Sequence, residues 1–456
     1  MPDSRATALL DVEAEEQTIP REVEPDEPFR ILMIADLSGR ANRKIREPLK
    51  GRRALMIDRD NFDDVFADMF AELRLDGMQL RFRELDDFHP DHIYRNQSEF
   101  QEFMEARDKK SDGAARETRS APPVDLSRGL LDQIVDHQTP EEPVLEPDGD
   151  LAAFIKKSIA PHVVHQDPQQ KARVARADSA ASEAMRAVLH HPEFQALEAS
   201  WRAVWMLVRG LNTDGDLKLY VFDATLEELV GDLEGTVALL TDPKKAWALL
   251  TADFYFGQST SDARALSLFG RIAQRIQAPF LAGGALDESP SDDWQLLRKA
   301  PEARSIGLTL PRFLARMPYG KKTSTVESFE FEEMPAMVHG DYLWANPAFC
   351  CAYLLGKTFL KEGWRLRPGL VREIGDLPAH VYEVDGEPEI KPCAEMLMSE
   401  RQASLLMDQG FMPLASLKGK DAVLLVRFQS IADPVAALLG RWDAGGAAAA
   451  VAEHGE

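Results

Sequence analysis

Residues 190–210 read HHPEFQALEASWRAVWMLVRG, and residues 217–223 read LKLYVFD. In the first stretch Phe194, Leu197, Trp201, Val204, Trp205 and Val208 recur on one helical face, with Pro192 suited to the first turn and Gly210 to the stop. The second is a short apolar run of strand length. TLEELVGDLE follows, with Thr225 and Glu228 at capping-box spacing. The same alternation continues downstream. LLTADFYF, SIGLTL, HVYEV and AVLLVRF read as strands, and Leu266, Phe269, Ile272 and Ile276 fall at helical spacing between Ser261 and Gln277. Residues 151–440 are therefore expected to form a larger mixed-sheet domain flanked by helices, in an α/β (mixed α+β) fold.

Upstream, RILMIAD (Arg30–Asp36) predicts a buried strand, and Ser38 with Gly39 a turn. In DRDNFDDVFADMFAEL the residues Phe62, Val65, Phe66, Met69, Phe70 and Leu73 share one apolar face, so a helix is expected through Leu73 with Asp60 as its N-cap. QLRFREL alternates Leu80 and Phe82 with Arg81 and Arg83, as a half-buried strand does. These elements predict a small strand-helix-strand module over residues 29–109. It has few residues with which to enclose that helix, so its apolar face is expected to pack on the larger domain or on a neighbour.

The remaining segments are polar. Residues 1–28 hold nine Asp or Glu against two Arg and predict a disordered acidic arm. Residues 110–150 predict a linker, interrupted by LSRGLLDQIVDH, which places Leu130, Leu131, Ile134 and Val135 on one side of a short helix. Residues 441–456 predict a flexible tail.

The 456 residues include 76 acidic and 53 basic side chains, a net charge of −23 that opposes contact with nucleic-acid phosphates. The longest apolar runs fall short of the roughly 20 residues that a membrane-spanning helix needs, and no secretory leader is read at the N-terminus, so a cytoplasmic protein without membrane insertion is expected. Of the three cysteines, Cys350 and Cys351 are adjacent and Cys393 stands apart, which matches neither a disulfide framework nor a zinc site.

Tests for chemistry give little. YGKKTST suggests a phosphate loop, but Lys321 and Lys322 follow Gly320 where Lys and then Ser or Thr are required, and Ala315 stands where the first glycine belongs. His89 and His92 lack further ligands nearby, and Pro90 disfavours a regular helix through the pair. His190 and His191 precede a helix and read as packing or capping residues. No GxSxG, CxxC or GxGxxG is present. No catalytic, cofactor-binding or metal residue is assigned, and no cofactor is expected.

The strings PFRILMIADLSGR, IDRDNFDDVFADM and LRFRELDDFHPDHIYRN resemble the small contractile-sheath subunit of the type VI secretion system, TssB (VipA), over about residues 28–104. LLDQIV, LHHPEFQALEASWRAVWMLVRG, APFLAGG, GLTLPRFLARMPYG, ESFEFEEM, HGDYLWANPAFCCAYLL and GFMPLASLKGKDAVLLVRFQSI resemble the large subunit, TssC (VipB), over about residues 126–431.

The resemblance implies a fused sheath protomer that assembles with other sheath subunits around an inner-tube protein and acts by contraction, without an active site. It further implies baseplate components and a Clp-type recycling unfoldase as partners, the latter read through Leu130, Leu131, Ile134 and Val135. Three departures accompany it. The small-subunit match stops near Met104, with EFQEFMEARDKK as the remnant of a gripping helix. The stretch between Gly284 and Trp294 is short. Large subunits carry a further C-terminal region after the segment corresponding to FQSI. A sheath-like adaptor, terminator or baseplate-associated paralogue that binds sheath subunits without polymerising is therefore an alternative, and a nucleotide-dependent α/β enzyme is the remaining one.

Overall fold

The apolar run at residues 29–35 becomes the strand on which the fold is built. The computed structural model describes residues 27–108, 168–286, 289–384 and 387–443. Of these, residues 27–99 and those from 182 onward belong to one compact unit, and residues 100–108 and 168–181 to a second. Leu130, Leu131, Ile134 and Val135 lie outside the described residues, as do residues 1–26 of the acidic arm and the whole of the 110–150 linker.

The described residues open with β1 (Phe29–Ala35), the one-turn helix α1 (Arg40–Arg43), β2 (Leu55–Ile57), α2 (Phe62–Asp68), the strands β3 (Ala71–Leu75) and β4 (Met78–Phe82), and α3 (Pro90–Asn96). The second unit contains α4 (Gln101–Asp108) and the start of α5 (Pro168–Leu189), with Arg107 paired to Asp178 at 3.3 Å. Then follow α6 (Pro192–Gly210), β5 (Leu217–Asp223), α7 (Leu226–Gly231), α8 (Leu233–Leu240), β6 (Leu249–Phe256), α9 (Thr260–Ile276), β7 (Phe280–Gly284), α10 (Asp292–Lys299) and β8 (Ile306–Leu310). The last part holds β9 (Phe313–Leu314), β10 (Trp344–Ala345), α11 (Ala348–Glu362), β11 (Glu373–Ile374), β12 (Val381–Val384), β13 (Glu387–Ile390), α12 (Glu400–Asp408), β14 (Phe411–Ser416) and β15 (Val423–Leu425).

Nine strands form one sheet in the order β11-β15-β14-β8-β7-β6-β1-β5-β2. From β14 to β5 all neighbours are parallel, while β2, β15 and β11 add antiparallel edges. β1 lies between β5 and β6, with Ile31 paired to Leu219 on one side and to Leu249 on the other. A parallel strand in that position is covered on both faces, which explains an unbroken apolar run in place of an alternating one. Leu32 and Ile34 join the cluster that holds Leu266, Phe269 and Ile272 of α9. Phe29 instead stacks on Phe359 of α11 with ring centroids 4.6 Å apart. Side chains alternate across a strand, so α9 and α11 cover opposite faces.

The small and large sequence modules thus share one sheet. HVYEV forms its strand outside that sheet, in the separate β12–β13 hairpin. The spacing of Thr225 and Glu228 produces the capping box that it predicts at α7.

The helix expected from Phe62 to Leu73 is shorter. α2 ends at Asp68 and is preceded by Asn61, not Asp60. Phe70 adopts a left-handed backbone with φ 50° and is 76% exposed, and Leu73 is buried in β3, paired with Leu80. The physical reason is a competing period. Ala71, Leu73 and Leu75 alternate with the more exposed Glu72 and Arg74, so Leu73 satisfies the strand repeat as well as the helical one, and pairing with β4 decides between them.

Candidate functional site

The strand β1 must be held where it is inserted, and the residues that follow it do this. Asp223, at the end of β5, accepts hydrogen bonds from the backbone N–H groups of Leu37 and Ser38 at 2.8 and 3.1 Å and from the Ser38 hydroxyl at 2.8 Å. The Trp201 indole N–H donates to the Leu37 carbonyl at 2.9 Å. Gly39 then turns the chain with φ 75°, and a side chain there would meet the Glu72 carbonyl at 2.3 Å.

Arg40 follows, with its guanidinium buried against Glu228 at 2.7 Å. Glu228 also accepts from the Glu47 N–H at 3.2 Å and from Arg52 at 3.1 Å, while completing the cap of α7. Burial alone would raise the Glu228 carboxyl. The bonds from Arg40, Thr225 and Glu47 overcome it and hold the group below its usual range. Leu49 N–H donates to Asp232 at 2.9 Å, so the loop after β1 is tied to α7 and α8 along its length.

Aromatic packing joins the same two stretches of sequence. Phe66 sits 3.9 Å and Phe62 5.8 Å from Trp201, and Phe62 sits 4.7 Å from Trp205, all between ring centroids. Val65 is buried, Met69 half-buried, and Phe70 points away from this cluster into solvent. Of the six residues expected on one packing face, Phe62, Val65 and Phe66 lie on α2 and are buried, while Leu73 is buried through β3. On α3, Asp91 accepts from the N–H groups of Glu327 and Ser328 at 3.0 and 2.8 Å, and Tyr94 stacks on Phe329 at 4.6 Å.

A second buried network lies beside α6. Arg316 bonds both Glu198 and Glu333 at 2.7 Å, and Arg202 bonds Glu198 at 2.7 Å. Burial would raise the Glu333 carboxyl, but the Arg316 charge prevails and brings it down to about 2.

The residues tested for chemistry have structural partners. Lys321 pairs with Glu330, and the Lys321 backbone N–H that a phosphate would require already donates to Glu332 at 3.0 Å. His89 and His191 cap α3 and α6 by accepting from Asp91 and Glu193 N–H, and His190 lies between Glu333 and Asp341. Glu84, Asp87 and His92 bring donor atoms within 4.8 Å of one another, yet Glu84 and Asp87 are engaged in a reciprocal cap over residues 85–88. The three cysteines are buried and unbridged. Among the described residues no helix is long and apolar enough to cross a membrane.

Sequence reasoning did not single out Asp36, Asp223 and Asp253. Asp36 and Asp223 close the apolar runs RILMIAD and LKLYVFD, and Asp253 interrupts LLTADFYF as the fifth of its eight residues. For Asp36 and Asp223 a carboxylate at the end of the run was the available signal, because carboxyl ends of adjacent parallel strands converge on one edge of the sheet, and for Asp253 it was a charge inside an otherwise apolar strand.

Fold and site together define a mixed α/β protein whose N-terminal segment is woven through the sheet of the rest. Family models match both parts. A type VI secretion system VipA model matches residues 1–115, and a VipB model described as a tail sheath N-terminal domain matches residues 171–243 and 284–432. The type VI secretion system sheath protein TssC1 of Pseudomonas aeruginosa is 31% identical over 303 residues, 57% of this chain and 61% of that protein. The chain thus spans about three fifths of that relative's length. A chain from the cryo-EM structure of the anti-feeding prophage helical sheath in its contracted state aligns over 52% of this chain and 53% of that one, at 15% identity and a TM-score of 0.29, too low to bear on the fold. The protein belongs to the type VI secretion sheath family.

Proposed function

We propose that this protein is a sheath protomer in which the small and large subunits are one chain, and that it serves as a structural component of a contractile type VI secretion sheath. The observation that carries this reading is the insertion of β1 between β5 and β6: the VipA-like part supplies a central strand of the VipB-like part. A protomer pulled on by its neighbours must transmit load without coming apart, and a strand hydrogen-bonded on both sides meets that need. Contraction requires two packings of such protomers separated by a downhill free energy, not a catalytic residue.

On this reading its partners are other sheath subunits, an inner-tube protein, baseplate components and a Clp-type recycling unfoldase that engages Leu130, Leu131, Ile134 and Val135, all in the cytoplasm. Co-expression with the inner-tube protein, followed by negative-stain microscopy, tests it. Long tubules are expected; discrete particles that still bind sheath subunits would replace the protomer by a non-polymerising adaptor.

A further inference from the structure

Ordered by their position in the chain, the parallel strands β5-β1-β6-β7-β8 run second, first, third, fourth, fifth. In that doubly wound order the connections diverge between the first and third strands, and a crevice opens outside their carboxyl ends. Here those strands are β1 and β6. A cavity of about 450 Å³ occupies the place, lined by Asp36 just after β1, by Asp253, Phe254 and Tyr255 in the second half of β6, and by the first turns of α6 and α7.

Its walls have a definite chemistry. Leu226, Phe254, Tyr255 and Trp344 supply apolar and aromatic surface, and Asp36, Glu193 and Asp253 supply three carboxylates. Arg312 is the one basic residue among the described lining residues, and its guanidinium is bound in a fork by Glu395 at 2.9 and 2.6 Å. Asp36 accepts from the Arg40 and Ala41 N–H groups, Glu193 from the Asn42 amide and Asp253 from the Ser200 hydroxyl, all neutral donors, so the cavity keeps an excess of formal negative charge. A phosphate or carboxylate ligand would be repelled. Among the described residues the three carboxylates do not converge as a metal-ligand set, which favours a ligand longer than a single ion.

We propose that this cavity binds an alkylammonium group, its hydrocarbon lying on the apolar walls and its charge directed at the carboxylates and the rings of Trp344 and Tyr255. Cations gain from aromatic faces as well as from carboxylates once water is displaced. The inference does not depend on the sheath-protomer reading. Burial pushes the Asp253 carboxyl up to about 6, against the bonds from Ser200 and Asn346 and with the help of the Asp36 charge, as expected for an acid held without a counter-ion. An ammonium group can come from a free aliphatic diamine or from a lysine side chain of another protein chain, and the test separates the two.

Isothermal titration calorimetry on the full chain should detect saturable one-site binding of 1,5-diaminopentane or of Nα-acetyl-lysine methylamide, and none of 1,5-pentanediol. Tighter binding of the diamine assigns the site to a free amine; equal or tighter binding of the lysine derivative assigns it to a neighbouring chain. Glu193→Gln, at the exposed rim, and Asp253→Asn should each weaken binding at least tenfold, circular dichroism confirming that the variants fold. If Asp253→Asn does not fold, Glu193→Gln alone decides. No binding of either amine, equal binding of the diol, or undiminished binding by the folded variants would overturn the proposal.

Discussion

The ring of Phe66 lies 3.9 Å from the indole of Trp201, although the two residues stand on opposite sides of the segment between residues 109 and 167. Trp201 also donates to the Leu37 carbonyl beyond the end of β1. One side chain therefore anchors both the helix α2 and the inserted strand. Packing of this kind is what turns two sequence modules into one protomer.

The first prediction separates two phenylalanines four residues apart. Phe66→Ala removes a fully buried ring and should cost about 3–5 kcal/mol in urea unfolding. Phe70→Ala removes an exposed ring and should change stability by less than about 0.5 kcal/mol. It also replaces a bulky residue held at positive φ, which adds no further loss. Equal destabilisation by the two would contradict the α2 boundary at Asp68.

Arg40 and Glu228 form the second test. Their side chains are 9% and 2% exposed, so removal of one partner strands a charge in low dielectric. Arg40→Met should destabilise by about 3–5 kcal/mol. The double variant Arg40→Met, Glu228→Leu should recover part of this loss, since Glu228 no longer stands buried without Arg40, while Asp223 and Arg52 each lose a charged partner at 3.6 and 3.1 Å. Additive losses in the double-mutant cycle would show that the pair is solvated and does not fasten the loop.

The third concerns pH and has a definite sign. The Asp253 carboxyl titrates near 6 when folded and near its ordinary 3.8 when unfolded, so between those values the folded state binds more protons. Stability from this group is greatest below about pH 4, falls as pH rises towards 6, and is level above. Asp253→Asn removes the dependence. Its stability relative to the parent should rise by about 1–3 kcal/mol between pH 4 and pH 7 in denaturant titrations. A constant difference would place the carboxylate in contact with water or with a cation.

Glu333 gives the opposite sign. Its folded value of about 2 lies below the ordinary 4.5, so its contribution is complete above about pH 4.5 and is lost as pH falls towards 2. The parent should weaken through that window in thermal unfolding, and Glu333→Gln, already weakened by loss of the charge beside Arg316, should show a shallower decline. Parallel slopes would remove Glu333 from the acid response.

Particular residues show where sequence reading reached and where it stopped. RILMIAD and the Phe194–Val208 stripe were legible because a buried parallel strand and an amphipathic helix each leave a local mark, an unbroken apolar run in one case and a 3.6-residue period in the other. The end of α2 was not legible, because Leu73 fits two periods and only the cross-strand partner Leu80 distinguishes them. The place of β1 between β5 and β6 was not legible either. Ile31 meets Leu219 and Leu249 far along the chain, and no spacing within a segment encodes a non-local pairing. The carboxylates of Asp36 and Asp253 share a cavity for the same reason, since strand order brings them together.

The last prediction follows from the position of β1. If residues from about 126 onward are produced alone, β5 and β6 each lose a hydrogen-bonded neighbour, and the apolar surface that Ile31, Leu32, Met33 and Ile34 cover is exposed on both faces of the sheet. Open edges beside apolar faces aggregate. Residues 1 to about 110 alone leave Phe62 and Phe66 without Trp201 and Trp205, and a lone parallel strand has no partner with which to form. Each part by itself should therefore be insoluble or unfolded, and co-expression should return a soluble one-to-one complex on size-exclusion chromatography. Because the covalent link raises the effective concentration of one part for the other, the split complex should dissociate on dilution where the intact chain does not. An N-terminal part that unfolds cooperatively as a monomer, with no affinity for the rest, would show that β1 does not need the sheet and would remove the single-protomer reading with it.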